Sequence, residues 1–141
     1  MTSPPDSAAI FGYATLRLAI GMSMLIHGVE RLPKIGAFSE ATVKMFAGSP
    51  LPAFAVSAFA HITPPVELVI GVLVTLGLFT RLGLSLGGLW MVALIFGSTL
   101  IEKYDIVGIQ LIYALIFFHL MRNLALNVLS IDWLLHRRRA G

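Results

Sequence analysis

Glu67 is the residue whose type and position most strongly suggest chemistry, because it is a carboxylate inside an apolar run. The run extends from His61 to Arg81, carries a proline pair near its start, and has the length and apolarity of a membrane-crossing helix. An ionised carboxylate is unfavourable in hydrocarbon unless it is paired, and such residues tend to mark functional sites. Glu67 therefore requires either a cationic partner or a proton.

The composition indicates a single integral membrane domain. Of the 141 residues, 57% are hydrophobic and 12% are charged, whereas soluble domains are roughly 45–50% apolar and about 25% charged. Four apolar blocks approach the ~20 residues needed to cross a bilayer, which leaves no room for a second, soluble domain. The chain has no cysteine, which excludes thiol–disulfide relays, thiolate metal sites and iron–sulfur ligation by its own residues.

The predicted fold is an all-α membrane protein, an antiparallel bundle of four transmembrane helices with an interfacial segment between helices 1 and 2. We expect a disordered leader at 1–7, the four-helix domain at 8–127, and a basic amphipathic tail at 128–141. The helices themselves are expected at about 8–29, 52–80, 82–101 and 106–127. Helix 2 is expected to continue, kinked, through Pro64 and Pro65, although Thr63 could instead cap a new helix that begins at Pro64. In the interfacial segment, residues 41–46 could form a short helix capped by Ser39.

The basic residues favour an orientation with both termini in the cytoplasm. The tail carries Trp133 as an aromatic anchor and the run Arg137 to Arg139, which suits anionic lipid headgroups better than nucleic acid. Four antiparallel crossings place four polar residues in the non-cytoplasmic half of the membrane, namely His27, His61, Glu67 and Gln110. Arg17 falls in the cytoplasmic half.

Arg17 is the predicted counter-ion of Glu67. Counted along ideal helices from the cytoplasmic end, the two residues differ in depth by an amount that a long arginine side chain can span. Such a pair would neutralise both charges and fix the pairing of helices 1 and 2. The alternative is that Arg17 extends to the headgroups and Glu67 stays protonated.

A quinone site is the redox hypothesis that the polar residues favour. A quinone headgroup needs a few hydrogen-bonding groups above an apolar slot, and five residues could supply them: His27, His61, Glu67, Tyr104 and Gln110. Glu67, His61 and His27 could also move the accompanying protons, as catalytic residues. The alternative is a polar cluster that only holds the bundle together. We expect no covalently bound cofactor and no metal site, and no haem motif supports ligation by the two histidines.

Small residues at helical spacing indicate close helix packing. Gly21 and Gly28 share a face of helix 1 with Arg17, and Gly83 and Gly87 form a small-xxx-small pair on helix 3. Small residues at such positions allow backbones to approach closely in membranes. We expect these glycines to face neighbouring helices.

The order and spacing of these elements resemble the DoxX family of small four-helix membrane proteins. Helix 1 reads Leu16-Arg17-Leu18-Ala-Ile-Gly21 and then Leu25-Ile-His27-Gly28, with Lys34 following. Helix 2 reads Pro65-Val-Glu67-Leu-Val-Ile-Gly71 and then Leu76-Gly77-Leu-Phe-Thr-Arg81. The resemblance covers about residues 10–125.

The resemblance implies a multi-pass protein of the prokaryotic inner membrane with cytoplasmic termini. The positions it marks are Arg17, Gly28, Glu67, Gly71, Gly77 and Arg81, with Gly71 as a packing position. Some family members are subunits of a thiosulfate:quinone oxidoreductase. The resemblance therefore implies at most a quinone-linked oxidoreductase subunit that works with a redox partner protein.

The leading functional hypothesis is a membrane subunit of a redox system that interacts with quinone. The alternative is a non-catalytic scaffold or small-solute carrier in which an Arg17–Glu67 pair is structural. The lipid bilayer is the expected environment, a nucleic-acid partner is not expected, and homo-oligomerisation is left open.

Overall fold

Six α-helices account for most of the described chain. The computed structural model of the protein describes residues 6–139. Within that range the helices are α1 (Ser7–Arg31), α2 (Ile35–Met45), α3 (Ala53–Leu76), α4 (Thr80–Leu100), α5 (Tyr104–Arg122) and α6 (Ile131–Arg139). Short 3₁₀ turns at Leu32–Lys34 and Leu124–Leu126 join α1 to α2 and follow α5. The predicted leader lies largely outside the described residues, which begin with Asp6, the N-cap of α1.

Four of the helices, α1, α3, α4 and α5, are long and apolar enough to cross a membrane. They form an antiparallel bundle in which α1 packs mainly along α3, and α4 packs mainly along α5. The short helix α2 lies against α3. The predicted all-α fold of four transmembrane helices with an interfacial segment is therefore confirmed.

Helix α3 continues through its proline pair, as predicted. Pro64 and Pro65 both lie inside the helix that extends from Ala53 to Leu76. The interfacial segment differs more from expectation. Because α1 continues to Arg31, only a 3₁₀ turn separates it from α2, and Ser39 is a buried interior residue of α2 that hydrogen bonds with the Ser57 hydroxyl at 3.0 Å.

Glycines set the register between α1 and α3. A Cβ atom at Gly28 would lie 2.6 Å from the backbone of Leu68, and one at Gly21 would lie 2.7 Å from the backbone of Thr75. From the other side, Gly71 presses against the backbone of Leu25. These contacts describe one antiparallel register, in which each residue further along α1 faces one residue earlier on α3.

The second helix pair also depends on close approaches at glycine. The ring of Phe117 on α5 occupies the space that a Cβ at Gly87 would need, and Gly83 lies against Leu73 and Val74 of α3. Between the pairs lies a buried apolar core whose members include Met24, Ile70, Leu84, Met91, Phe117 and Leu120. This core separates the two ends of the bundle.

The tight turn between α3 and α4 is held by a group of residues that we call the terminal cluster: Arg17, Gly77, Asn127, Ser130 and Asp132. Gly77 ends α3 in the left-handed conformation (φ 62°), and the amide of Leu78 donates back to the carbonyl of Leu73. Asp132, on α6, then caps α4 by accepting from the amides of Phe79 (2.8 Å) and Thr80 (2.7 Å). The tail is thereby attached to the bundle.

Candidate functional site

A cavity of about 510 Å³ lies in the half of the bundle farther from both chain ends. It lies between the second half of α1, the first half of α3, the second half of α4 and the first half of α5, and α2 covers it. Most of the wall is apolar. The polar or ionisable residues that line it are His27, Arg31, Thr42, Thr63, Glu67, Ser98, Gln110 and Tyr113.

Arg31 and Glu67 form an ion pair in the wall of this cavity. Nη1 of Arg31 donates to both carboxylate oxygens of Glu67, at 2.7 and 2.6 Å. The Glu67 side chain is only 4% exposed, whereas that of Arg31 is 33% exposed. The guanidinium also lies over the ring of Phe38, 5.0 Å from its centroid. Its other nitrogens make no hydrogen bond with any residue between 6 and 139, so they remain able to donate to a ligand.

This ion pair corrects the predicted pairing of Glu67 with Arg17. The glycine contacts place Arg17 level with the turn after α3, twelve residues beyond Glu67, which is roughly 18 Å along the helix axis. The prediction assumed that the two helices end at the same level. Instead, the first turns of α1 project beyond the end of α3, which puts Arg17 far from Glu67 and Arg31 close to it.

Arg17 stabilises the end of α3 instead. Its Nη1 donates to the carbonyls of Val74 (2.7 Å) and Thr75 (2.9 Å), and its Nη2 donates to the carbonyl of Leu129 (2.7 Å). The last carbonyls of a helix lack intrahelical partners and carry partial negative charge, so a buried arginine is well matched to them. Arg17 thus belongs to the terminal cluster and joins α1, α3 and the segment before α6.

Two of the other predicted ligand-binding residues do line the cavity with Glu67. His27 lies one helical turn before Arg31 on α1, and Gln110 faces the cavity from α5. The Gln110 amide donates through Nε2 to the Ser98 hydroxyl at 3.0 Å, and its Oε1 is buried without a partner among the described residues. Tyr113, one turn further along α5, hydrogen bonds with Ser23 at 2.8 Å.

His61 and Tyr104 do not join this site, which corrects the predicted slot. His61 is exposed, its Nδ1 contacts the carbonyl of Ser57, and it borders a separate shallow groove on the outer surface with Pro65 and Leu86. Tyr104 is 64% exposed at the start of α5. His61 lies six residues before Glu67, and Tyr104 lies six residues before Gln110. Six residues correspond to about 240° around a helix, so His61 and Tyr104 face away from the cavity that Glu67 and Gln110 line.

Arg31 and the residues of α2 are the parts of the site that sequence reasoning missed. Arg31 was assigned to a loop because helix 1 was expected to end at Val29. Extending the helix by two residues would have placed Arg31 on the same face as Met24 and Gly28, at i+7 and i+3. Phe38 and Thr42 cover the cavity from α2, but Phe38 lies before the helix predicted at 41–46, and nothing in the sequence indicates that Thr42 of that helix faces a cavity.

The cavity can hold a largely apolar molecule that bears a few hydrogen-bonding groups. Donors are available at Arg31 and in the Gln110 amide, and His27 and Glu67 can each hold or release a proton. Because Glu67 neutralises Arg31, the site carries little net charge for a bound molecule to offset. These properties favour an uncharged amphipathic ligand over a small anion.

The fold and the site define the class of protein: the chain is an integral membrane protein with four membrane-spanning helices and a ligand-sized cavity between them. The family model DoxX matches residues 12–99, and the chain belongs to the DoxX family. Comparison with curated proteins and with solved structures found no match. The matched region contains the Arg31–Glu67 pair, α2, and Arg17 and Gly77 of the terminal cluster.

Proposed function

We propose that this protein is a membrane subunit of a redox system and that it binds quinone in the cavity beside Glu67. The observation that carries the proposal is the Arg31–Glu67 pair, a charge-neutral polar group in an otherwise apolar cavity of about 510 Å³. Quinone headgroups are uncharged, and their carbonyl oxygens accept hydrogen bonds. Arg31 has unused donors for one carbonyl, and the Gln110 amide is a second polar group on the cavity wall.

The chemistry supported by this site is proton exchange coupled to electron transfer from a partner. Reduction of a quinone to a quinol requires two electrons and two protons. The Glu67 carboxylate, paired with Arg31, carries no proton of its own, but it can accept one from water and pass it to the reduced quinone. The His27 imidazole in the same wall is a second group that could relay a proton from water. The chain has no cysteine for a thiol relay, so in this proposal the electrons come from a separate redox protein.

Family membership and the distribution of charge support a proposal for the cellular setting. We propose that the protein resides in a prokaryotic inner membrane with both termini in the cytoplasm, which places the cavity in the outer half of the bilayer. The exposed arginines Arg81, Arg122, Arg137 and Arg138 at the end of the bundle that carries α6 support this orientation. Quinones are soluble in the bilayer, so a cavity among transmembrane helices lies at the depth that they occupy.

A fluorescence titration tests quinone binding. Trp90 stacks on Phe59, a residue of the cavity wall, with ring centroids 5.0 Å apart. In a Trp133→Phe background, Trp90 is the remaining tryptophan, and a short-chain benzoquinone or naphthoquinone added to protein in nanodiscs should quench it saturably. Arg31→Gln and Gln110→Leu should each weaken this binding about tenfold, the effect of losing roughly 1.4 kcal/mol of hydrogen bonding.

His61→Ala is the matched control, since His61 lies on the outer surface of α3 and its loss should leave affinity within about twofold. Quenching that rises without saturation, or that weakens equally in the control, would overturn quinone binding. The protein would then fit the alternative of a scaffold or small-solute carrier, with the Arg31–Glu67 pair holding α1 to α3.

A further inference from the structure

The end of the bundle that carries α6 has an uncompensated positive surface, which we call the cationic face: Arg81, Arg122, Arg137 and Arg138. All four arginines are exposed, and none forms a salt bridge with a residue in the described part of the chain. The two carboxylates nearest this end are Asp6 and Asp132, and each is engaged by backbone amides. The positive charge is therefore available to a partner.

Exposed apolar side chains accompany Arg137 and Arg138 on α6 and just before it. Leu129, Leu134 and Leu135 are about half exposed, and Trp133 is partly exposed. The Arg137 guanidinium lies 5.2 Å from the centroid of the Trp133 ring. A surface with cations beside exposed leucines and a tryptophan matches a phospholipid, which offers a negative headgroup and acyl chains together. A soluble acidic partner would match only the cations.

The tail that carries this surface is firmly joined to the transmembrane helices. The amide of Asp132 donates to the carbonyl of Gly77 at 2.9 Å, while its carboxylate caps α4. Just before α6, Leu129 accepts from Arg17 of α1, and Asn127 donates to the hydroxyl of Thr80 at 2.9 Å. These hydrogen bonds link α6 and the segment before it to α1, α3 and α4.

We infer that the cationic face binds anionic phospholipids and that this binding stabilises the whole bundle through the terminal cluster. A ligand that binds the folded state in preference to the unfolded state raises stability by mass action. Here the bound headgroups also offset the mutual repulsion of the arginines. The inference does not depend on quinone binding, because it concerns the opposite end of the molecule.

Thermal unfolding in nanodiscs tests this inference. The wild-type chain should melt higher in an equal mixture of phosphatidylcholine and phosphatidylglycerol than in phosphatidylcholine alone, by about 3–6 °C for a chain of this size. Arg137→Gln/Arg138→Gln should lose most of this rise and melt as wild type does in phosphatidylcholine. Lys34→Gln/Lys44→Gln, which removes two exposed cations near the opposite end, should keep the rise.

A second variant separates lipid binding from its coupling to the bundle. Asp132→Ala should still retain phosphatidylglycerol in native mass spectra but show a smaller rise in melting temperature, because the attachment of α6 to α4 is weakened. If Arg137→Gln/Arg138→Gln keeps the full rise, or the lysine variant loses as much, the assignment of the face to anionic lipid is overturned. If polyglutamate added to the protein in phosphatidylcholine raises the melting temperature as much as phosphatidylglycerol does, the cationic face binds acidic polypeptides. That result would also overturn the assignment to anionic lipid.

Discussion

The polarity of the candidate site depends on which arginine pairs with Glu67. Arg31 does so because α1 continues to the level at which Glu67 sits on α3, and the pair is held in the cavity wall at 2.6–2.7 Å. Arg17 serves the backbone at the other end. The two arginines lie on the same helix and face the same neighbour, yet one is part of the candidate site and the other is structural.

A double-mutant cycle measures this difference. Arg31→Gln and Glu67→Gln should each destabilise the protein, because each leaves the other charge unpaired in an apolar wall. The double variant should lose less free energy of unfolding than the sum of the losses in the two single variants. The difference, which is the coupling energy, should be about 1–3 kcal/mol when measured by reversible unfolding in mixed micelles. The same cycle for Arg17 and Glu67 should be additive within about 0.5 kcal/mol, and a coupling as large as that of Arg31 would contradict the pairing described here.

Asp132 gives a second residue-level prediction, concerning pH. Burial disfavours its ionisation, but the hydrogen bonds from Thr80 and Phe79, together with nearby His136, more than offset this and hold the pKa of Asp132 below its usual range. A carboxylate with a lowered pKa in the folded state adds stability above its unfolded pKa, and this stability is lost as pH falls through the folded value. The free energy of unfolding of wild type should therefore exceed that of Asp132→Ala by about 1 kcal/mol at neutral pH. This difference in stability should shrink below about pH 4.

Paired thermal melts of wild type and Asp132→Ala across this pH range would provide the measurement. Asp105→Ala is the control, since the Asp105 carboxylate accepts no hydrogen bond from the described residues. A difference between wild type and Asp132→Ala that stays constant down to pH 2 would show that the charge of Asp132 does not support the cap.

Residue types alone could predict that Glu67 needs a partner, but not which partner it has. The position of Glu67 in an apolar helix identified it as a candidate, and its depth correctly grouped it with His27 and Gln110. Depth counted from level helix ends favours Arg17 over Arg31, whereas the first turns of α1 in fact project beyond the end of α3. The offset between α1 and α3 is fixed by Gly21, Gly28 and Gly71 against specific backbone positions, and those contacts are not visible in one sequence.

The helices are organised by close approaches at a few glycines. On α4, Gly87 lies against the ring of Phe117, whereas its neighbour Gly88 has open space where a side chain would begin. Both positions are glycines on α4, so they differ mainly in what they contact. Helix packing, rather than intrinsic helix propensity, therefore distinguishes Gly87 from Gly88.

This pair of glycines provides a prediction at the element scale. Gly87→Ala should destabilise the bundle by about 1–3 kcal/mol, because Phe117 or one of the helices must move to admit the methyl group. Gly88→Ala should be neutral or slightly stabilising, since alanine favours the helix and meets no neighbour. Melting temperatures of the two variants in the same detergent give the comparison, and equal losses would exclude the α4–α5 contact as the cause.

The elements themselves could largely be predicted from the sequence. Apolar length located the four transmembrane helices, and the continuous course of α3 through Pro64 and Pro65 was expected because the residues before the prolines had no other use. The full extent of α2 was not anticipated. Its beginning depends on Pro33 permitting a 3₁₀ turn directly after α1, a local outcome that propensities do not separate from a loop.

The whole molecule has two polar ends separated by a largely apolar core. The cavity with Glu67 lies at one end, and the terminal cluster with the cationic face lies at the other. Between them, Met24, Ile70, Val74 and Leu84 are buried. Among the described residues, Glu67 hydrogen bonds only with Arg31 and is not connected to the terminal cluster, so we expect proton exchange with Glu67 from the cavity end.

The proposed orientation makes a last prediction, which the absence of cysteine makes simple to test. Glu40 on α2 and Arg138 on α6 are both exposed, at opposite ends of the bundle. In bacterial cells that express single-cysteine variants, a membrane-impermeant maleimide should label Glu40→Cys in intact cells but Arg138→Cys only after permeabilisation. Labelling in the reverse order would place the termini outside and the cavity in the inner leaflet. Protons exchanged at Glu67 would then come from the cytoplasm, whereas the proposed orientation takes them from the outer side.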